Sequence, residues 1–371
     1  MELFHNKDVP NAVERLVKDP MFDSIAKFLW SDEEFQEIKA NFKNINTVKE
    51  FQLNVMHSAI NNILRSTSDG LSFSGIENLD PNRSNLFIAN HRDILLDTAI
   101  LQVLLVENGL ETSEITFGDN LMKPGFVTDL CHLNRMLSVK RTGTARELYS
   151  YSKDLSEYVR ETLVSNRNSV WLAQRGGRTK DGSDFTQPGL LKMLNMTGEK
   201  SLVENFNELH ILPLSISFEY EPCDDLKTRE TYAKFTEIEY EKGENEDMES
   251  IRKGILEPKG RIHFHFGTKI KLEESQLEEN ENQFNKKLAM LIDEEVFKGY
   301  KLWPTNYAAF DLLKGTSAYS NEYSSEEMDA FKKHINIKVN ALSGDKELLL
   351  ETMLKIYANP VLNKLLKPSS I

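Results

Sequence analysis

One stretch of the sequence places a histidine and two carboxylates where they could carry out acid–base chemistry. Residues 86–89 are apolar and predict a strand, and His91 follows two residues later. Asp93 and Asp97 lie two and six residues beyond the histidine. An imidazole at the end of a strand can act as a general base, since its unperturbed pKa is about 6.5, and a carboxylate behind it can fix its tautomer. The alternative is a structural histidine that caps the following helix.

A second stretch has the composition of an anion site. A strand predicted over 169–173 leads into a turn that contains Gly176, Arg178 and Lys180. Glycine lets the backbone approach an anion closely. The planar guanidinium of Arg178 suits a phosphate, and Lys180 offers a point charge. An ordinary surface turn is the competing interpretation.

Two further strands carry features that could serve the same site. The strand predicted over 136–139 is followed by Lys140 and Arg141, which alone indicate little more than a solvated basic loop. The strand predicted over 211–218 contains Pro213. Proline inside a strand usually indicates an edge or a bulge.

Taken in order, these four stretches resemble the motifs of the glycerolipid acyltransferase superfamily, over roughly a third of the chain. The first motif of that superfamily is Asn-His followed by an aspartate after four intervening residues, and Asn90-His91 matches its start. Asp97 lies one residue too far, which on a helix rotates a side chain by about 100°. Either a bulge in the turn restores the geometry or Asp93 takes the role. The residues around Asp97 fit the motif, so the resemblance favours Asp97.

The resemblance also implies roles for the basic turns. Gly176 and Arg178 fall on the third motif, which lies near the phosphate of the acceptor, while Arg175 stands where the family usually has glutamate. Arg141 is the best match to the basic residue of the second motif, and Lys140 is the reserve.

The implied function is transfer of a fatty acyl group from a thioester of acyl carrier protein or coenzyme A to a hydroxyl of a glycerol-phosphate or lysophospholipid acceptor in membrane lipid synthesis. His91 would take the proton of the acceptor hydroxyl, and Asp97 would orient and charge-balance the imidazole. Arg141, Arg178 and Lys180 would hold the acceptor's phosphate. The apolar strand with Pro213 would match the fourth motif and shape the acyl-chain or acceptor pocket. No cofactor and no metal are expected.

Other functions remain open at this point. The longer spacing and Arg175 would also suit an O-acyltransferase that acts on an amino-acid or sugar lipid, or a non-catalytic lipid-binding member of the family. A phosphatase or hydrolase is disfavoured, because no nucleophile or metal cluster accompanies the anion site. His263 and His265 share a face of a predicted strand and could bind a metal in principle, but no third ligand lies nearby in sequence.

The elements that must position these residues predict an α/β fold. Strands predicted over 86–89, 115–118, 136–139, 169–173, 211–218 and 261–267 alternate with helices, which indicates a mixed, largely parallel sheet flanked by helices. Ligands bind outside the carboxyl ends of such strands. We predict a helical N-terminal region (1–68), an α/β acyltransferase domain (69–300) and a helical C-terminal tail (301–371). The charged residues 224–257 predict a solvated excursion between two strands.

Composition agrees with a globular enzyme that carries a local anion site. The 371 residues are 40% hydrophobic and 28% charged, and the net charge of -13 argues against general nucleic-acid binding. Residues 83–192 are locally basic, with fourteen Lys/Arg against thirteen Asp/Glu. Two cysteines without CxxC spacing indicate a reducing compartment. Because no apolar run approaches the roughly 20 residues that span a bilayer, we expect a cytoplasmic protein, peripheral on the inner face of the cytoplasmic membrane.

Overall fold

A seven-stranded sheet lies at the centre of the part of the chain that the computed structural model describes, which comprises residues 3–122, 125–236, 240, 243, 245–276 and 280–366. In chain order its strands are β1 (Leu71–Ser74), β2 (Leu86–Ala89), β3 (Glu114–Gly118), β4 (Met136–Val139), β5 (Val170–Ala173), β6 (Ile211–Phe218) and β7 (Ile262–Phe266). Their order across the sheet is β1-β7-β6-β2-β5-β3-β4. Only the β6–β7 pair is antiparallel among these strands. The predicted mixed, largely parallel sheet is therefore confirmed.

Strand direction decides which residues meet at one edge of the sheet. Strands β2 to β6 run the same way, so their carboxyl ends lie together. Strands β7 and β1 run the opposite way and begin at that edge, where Phe218 pairs with Ile262 and Ile262 pairs with Leu71. The residues that follow β2, β3, β4 and β5 therefore share one edge.

Helices cover both faces of the sheet and form its extensions. They are α1 (Val9–Lys18), α2 (Pro20–Leu29), α3 (Asp32–Asn41), α4 (Val48–Phe51), α5 (His57–Thr67), α6 (Leu96–Glu107), α7 (Phe126–Leu133), α8 (Ala145–Val164), α9 (Pro188–Leu194), α10 (Leu202–Asn207), α11 (Asp224–Phe235), α12 (Glu246–Leu256), α13 (Glu281–Gly299), α14 (Pro304–Lys314), α15 (Ser325–Ala341) and α16 (Lys346–Leu365). A π-helical turn, Gln52–Met56, joins α4 to α5. Among the described residues, no helix has both the length and the apolar character needed to cross a bilayer.

The central strand β2 shows why the sheet is covered on both faces. All four of its residues are buried. Phe87 and Ala89 face the apolar cluster that contains α5 and α6, whereas Leu86 and Ile88 face the cluster that contains α8, α9 and α13. Successive side chains on a strand point to opposite faces, so a strand buried on both sides needs an uninterrupted apolar run.

The prediction of a solvated excursion over 224–257 is wrong. The described part of this segment consists mainly of α11 and α12, and it buries Asp224, Lys227 and Ser250. Residues 237–239, 241, 242 and 244 lie outside the described residues. The charges misled the prediction because several of them pair inside the protein, which lets a charged helix pack against the domain.

Pro213 lies in the interior strand β6, so the edge position that a proline usually indicates is not observed. It pairs with Ile88 of β2, and its carbonyl oxygen accepts the N–H of Gly267 at 2.8 Å. Strand β7 pairs with β6 only from Leu214 onward. The proline nitrogen lies opposite Gly267, the last residue that this pairing reaches, and it cannot donate to the carbonyl oxygen of Gly267. That oxygen accepts Nδ2 of Asn78 at 3.2 Å instead.

Candidate active site

A histidine and a carboxylate form a buried pair at the edge where the parallel strands end. Nδ1 of His91 lies 2.8 Å from Oδ2 of Asp97. The His91 side chain is 13% exposed, and that of Asp97 is fully buried. The same carboxylate oxygen accepts the backbone N–H groups of Arg92 at 2.5 Å and Asp93 at 3.0 Å. Because the carboxylate holds the proton on Nδ1, Nε2 is left as the basic nitrogen of the ring.

The turn between β2 and α6 explains how the longer spacing still brings the pair together. The two aspartates have different roles. Oδ1 of Asp93 accepts the N–H groups of Leu95 at 2.9 Å and Leu96 at 2.8 Å. Asp93 thereby supports the first turn of α6, which begins at Leu96. The extra residue is taken up before the helix starts, so Asp97 suffers no helical rotation away from His91. Asp97 contacts the imidazole, and Asp93 stabilises the helix start.

The glycine-rich turn after β5 lies directly beside the histidine. The N–H of Thr179 donates to the carbonyl oxygen of His91 at 2.9 Å, and the N–H of Gln174 donates to the carbonyl oxygen of Ala89 at 2.8 Å. The indole of Trp171 meets the imidazole edge to face, with ring centroids 5.4 Å apart. The two stretches that sequence reasoning selected are thus in contact.

Arg92, the neighbour of His91, is buried in a balanced network of charges. Its guanidinium forms ion pairs with Asp184 and, at 3.2 Å, with Glu221. Nζ of Lys227 donates to Glu221 at 2.6 Å and to the carbonyl oxygen of Arg92 at 2.8 Å. The hydroxyl of Tyr300 donates to Asp184. Burial raises the pKa of Asp184, and the charge of Arg92 opposes that rise. Two cations face two carboxylates, which is the condition under which charges are tolerated in a protein interior.

Sequence reasoning missed this network. The partners of Arg92 lie 92 and 129 positions further along the chain, at Asp184 and Glu221. The only sequence signal was the position of Arg92 next to the candidate base. A charge inside an apolar stretch is itself a reason to look for a buried partner.

Asn90 ties the histidine turn to the neighbouring strand. Its Oδ1 accepts the N–H of Ile216 at 2.8 Å, and its Nδ2 donates to the carbonyl oxygen of Ile216 at 3.0 Å. The side-chain amide therefore continues the pairing of β2 with β6 by one step after β2 ends. This bond explains why an amide precedes the histidine, since it fixes the direction in which the turn leaves the sheet.

Two of the predicted phosphate-binding cations are engaged inside the protein. Arg178 is 8% exposed, and its Nη2 donates to Oγ of Ser250 on α12 at 3.1 Å. Lys180 forms a 2.6 Å ion pair with Glu230 on α11. Burial lowers the pKa of Lys180 to about 8, and the nearby charge of Arg178 acts in the same direction. Helices α11 and α12 therefore cover both cations.

Arg141 has a different environment from Arg178 and Lys180. It is exposed, it follows β4 at the same edge of the sheet, and a β-carbon at Gly177 would lie 3.8 Å from its Nη1. Lys140 pairs with Asp119 at 3.2 Å. The exposed guanidinium of Arg141 is thus next to the glycine-rich turn that contacts His91.

The remaining residues of the turn make local contacts. The N–H of Gly176 donates to Oε1 of Gln187 at 3.0 Å, and Nη1 of Arg175 donates to the carbonyl oxygen of Ser183 at 3.2 Å. Arg175, which stands where the related motif has glutamate, therefore closes the loop on itself.

His263 and His265 lie together on β7, as predicted, away from His91. The hydroxyl of Ser74 bridges Nε2 of His263 at 3.0 Å and Nδ1 of His265 at 2.8 Å. Burial and the neighbouring imidazole lower the pKa of His263 to about 4. No group of three or more potential metal ligands occurs among the described residues.

The segment of the chain that contains this edge of the sheet is similar to a known protein family. An acyltransferase family model matches residues 70–217. This segment is an acyltransferase domain. The match supports the predicted family and an enzyme that transfers acyl groups. The matched segment of the acyltransferase runs from the start of β1 to the end of β6 and includes the His91–Asp97 pair.

One solved structure can be set beside this acyltransferase. It is the 1-acyl-sn-glycerophosphate (LPA) acyltransferase PlsC from Thermotoga maritima, with 15% identity and a TM-score of 0.39. The similarity covers 78% of this chain and 95% of that chain. No curated protein matches the chain.

Proposed function

We propose that this acyltransferase moves a fatty acyl group from a thioester of acyl carrier protein or coenzyme A to a hydroxyl of a glycerol-phosphate or lysophospholipid acceptor, as a step of membrane lipid synthesis. The observation that carries the proposal is the hydrogen bond between His91 and Asp97 inside the acyltransferase segment. A buried carboxylate bound to Nδ1 prepares Nε2 to accept a proton.

The reaction follows from this pair. Nε2 of His91 takes the proton of the acceptor hydroxyl while its oxygen attacks the thioester carbonyl carbon. The tetrahedral intermediate then breaks its carbon–sulfur bond, and the proton on His91 passes to the departing sulfur. Asp97 stabilises the imidazolium between these two steps. The ester forms directly, without an acyl group attached to the enzyme, so positioning and base catalysis supply most of the rate.

The acceptor's anionic group is proposed to meet Arg141. This guanidinium is exposed beside the glycine-rich turn, and its planar fork can bind two phosphate oxygens. Arg178 and Lys180 would contribute through their charge, since both are held by α11 and α12. A lipid acceptor would bring the enzyme to a membrane, and we propose peripheral contact with the inner face of the cytoplasmic membrane.

The test is a transfer assay with labelled acyl-acyl carrier protein and acyl-coenzyme A against glycerol 3-phosphate, lysophosphatidate, a lyso-aminolipid and a sugar lipid. We expect the wild type to transfer the acyl group. His91→Ala should lower the transfer rate by at least the roughly 10²–10⁴-fold that one acid–base group supplies. The control is His57→Ala, which removes a histidine on α5 that pairs with Glu107.

Each outcome has a meaning. The preferred acceptor separates a phosphate-bearing substrate from an amino-acid or sugar lipid. Equal transfer by His91→Ala and the wild type would remove His91 as the base. No transfer to any acceptor, with lipid binding unchanged by His91→Ala, would favour a non-catalytic lipid-binding protein.

A further inference from the structure

The last helix of the chain holds the glycine-rich turn through two side-chain amides. On α16, Nδ2 of Asn359 donates to the carbonyl oxygen of Asp181 at 2.6 Å and to Oγ of Ser183 at 3.2 Å. One helical turn later, Nδ2 of Asn363 donates to the carbonyl oxygen of Gly182 at 3.2 Å. Three consecutive residues of the turn are thus bound by a helix that follows them by more than 160 positions.

Backbone contact at Gly182 makes this junction tight. Gly182 has φ +77°, and a β-carbon there would overlap the carbonyl oxygen of Ile356 on α16. Glycine alone combines this backbone conformation with so close an approach. The helix and the turn therefore meet along their backbones, and the two amides satisfy the carbonyl groups that this contact buries.

The same turn reaches the candidate base from two sides. Thr179, two residues before Asp181, donates its N–H to the carbonyl oxygen of His91. Asp184, which follows Ser183, forms the ion pair with Arg92. A displacement of residues 181–183 would move both contacts of the histidine turn.

Helix α16 also acts on the second carboxylate that holds Arg92. The hydroxyl of Tyr357 accepts the N–H of Glu221 at 3.1 Å and donates to Oδ2 of Asp224 at 2.7 Å. Glu221 in turn pairs with Arg92. Helix α16 therefore binds Glu221 directly, and it binds Ser183, the residue before Asp184. It thus holds one carboxylate residue and the neighbour of the other, although it lies outside the segment that matches the acyltransferase family.

We propose that Asn359 and Asn363 are positioning residues for acyl transfer, and that α16 is part of the structure that holds His91 in place. The proposal rests on the proposed function of His91. Attachment of the tail alone would not require these amides, because Phe331, Met353 and Tyr357 already give the tail an apolar core. The amides instead bind the turn that touches the histidine loop.

The experiment compares the double variant Asn359→Ala/Asn363→Ala with Glu351→Ala/Lys355→Ala in the full chain. The control removes a 2.7 Å ion pair on the solvent side of the same helix. We would measure kcat and KM for the acceptor well below the melting temperature of each variant. We would also measure amide hydrogen exchange of peptides that cover 89–97 and 174–187.

In the asparagine variant we expect kcat to fall by about 10–100-fold with a smaller change in KM, since a misplacement of about 1 Å can cost this much. The Thr179 amide should exchange about tenfold faster, because its bond to His91 opens locally. Neither quantity should change in the control. Asn359→Asp keeps the shape of the side chain but removes its donor. If the double variant folds poorly, Asn359→Asp takes its place in the comparison, and its kcat should also fall.

Unchanged kcat and unchanged exchange at 89–97 and 174–187 in the asparagine variants would overturn the proposal. A kcat loss that disappears once the folded fraction is taken into account, with exchange at 89–97 unchanged, would reduce both residues to a structural role and also overturn it. If the wild type transfers no acyl group, faster exchange at 89–97 would still support the positioning of the histidine loop by α16, and the proposed function alone would fail.

Discussion

Nδ1 of His91 and Oδ2 of Asp97 lie 2.8 Å apart across a spacing that is one residue longer than the related motif. The pair is possible because Asp93, and not Asp97, supports the first turn of α6. The two aspartates therefore have separable roles, one toward the imidazole and one toward the helix.

Replacing each aspartate should separate these roles. Asp97→Asn should lower kcat by about 10²–10⁴-fold, because an amide no longer stabilises the imidazolium. Asp93→Ala, which removes the oxygen that accepts the N–H groups of Leu95 and Leu96, should lower the free energy of unfolding by about 1 kcal/mol, with a smaller effect on kcat. Steady-state kinetics and urea unfolding of both variants check this. A larger kcat loss in Asp93→Ala than in Asp97→Asn would reverse the assignment.

Arg141 should affect binding of an anionic acceptor more than turnover. Arg141→Gln should raise the acceptor KM by about tenfold, which corresponds to about 1.4 kcal/mol, and the effect should shrink at high salt because the site is exposed. The control is Arg83→Gln, an exposed arginine before β2, at the opposite edge of the sheet. Initial rates at low and high ionic strength measure both. Equal KM changes in the two variants would leave only a non-specific effect of charge.

Gly182 should be far less tolerant of a side chain than another glycine with similar backbone geometry. Gly182→Ala combines a positive φ with overlap at Ile356, whereas Gly109, at φ +74°, has nothing within 4 Å of a β-carbon. We expect Gly109→Ala to cost about 1 kcal/mol of unfolding free energy and Gly182→Ala about 3 kcal/mol or more. Urea unfolding provides the comparison. Similar costs would show that α16 yields easily at this contact.

Asp224 should make the attachment of the C-terminal helices sensitive to acid. Burial alone would raise the pKa of Asp224, but the hydrogen bond from His334 and the charge of Lys338 more than offset burial and lower the pKa to about 2. Because the folded-state pKa lies below the unfolded value of about 3.9, the unfolded chain binds more protons between these values. The stabilisation, about 2 kcal/mol, is present above pH 4 and is lost as the pH falls toward 2.

Urea unfolding between pH 2 and pH 7 tests this window. Asp224→Asn should be less stable than the wild type at pH 7, and the difference between the two should shrink as the pH falls below 4. Asp154→Asn, at an exposed position on α8, serves as the control. A difference that stays constant with pH would mean that Asp224 stabilises the protein by packing alone.

Local pattern was enough to predict the strands that carry the site. Residues 86–89 and 136–139 were predicted with the bounds that the structure shows, and 211–218 likewise. A strand covered by helices on both faces needs a short apolar run, and such a run is visible without knowledge of its partners. The order of His91, the basic turns and the proline strand also indicated the acyltransferase family that residues 70–217 match.

Tertiary structure alone decided how the charged side chains are used. The sequence pattern favours Arg178 and Arg141 alike as anion ligands, but in the structure Arg178 is buried against α12 and Arg141 is exposed. It also gave no sign of the contacts from Asn359 and Asn363 to the glycine-rich turn. A charge or an amide finds its partner through chain segments that lie far apart, and its burial depends on what packs over it. Neither the partner of a polar side chain nor its burial can be read from the spacing of neighbouring residues, whereas a run of apolar residues can.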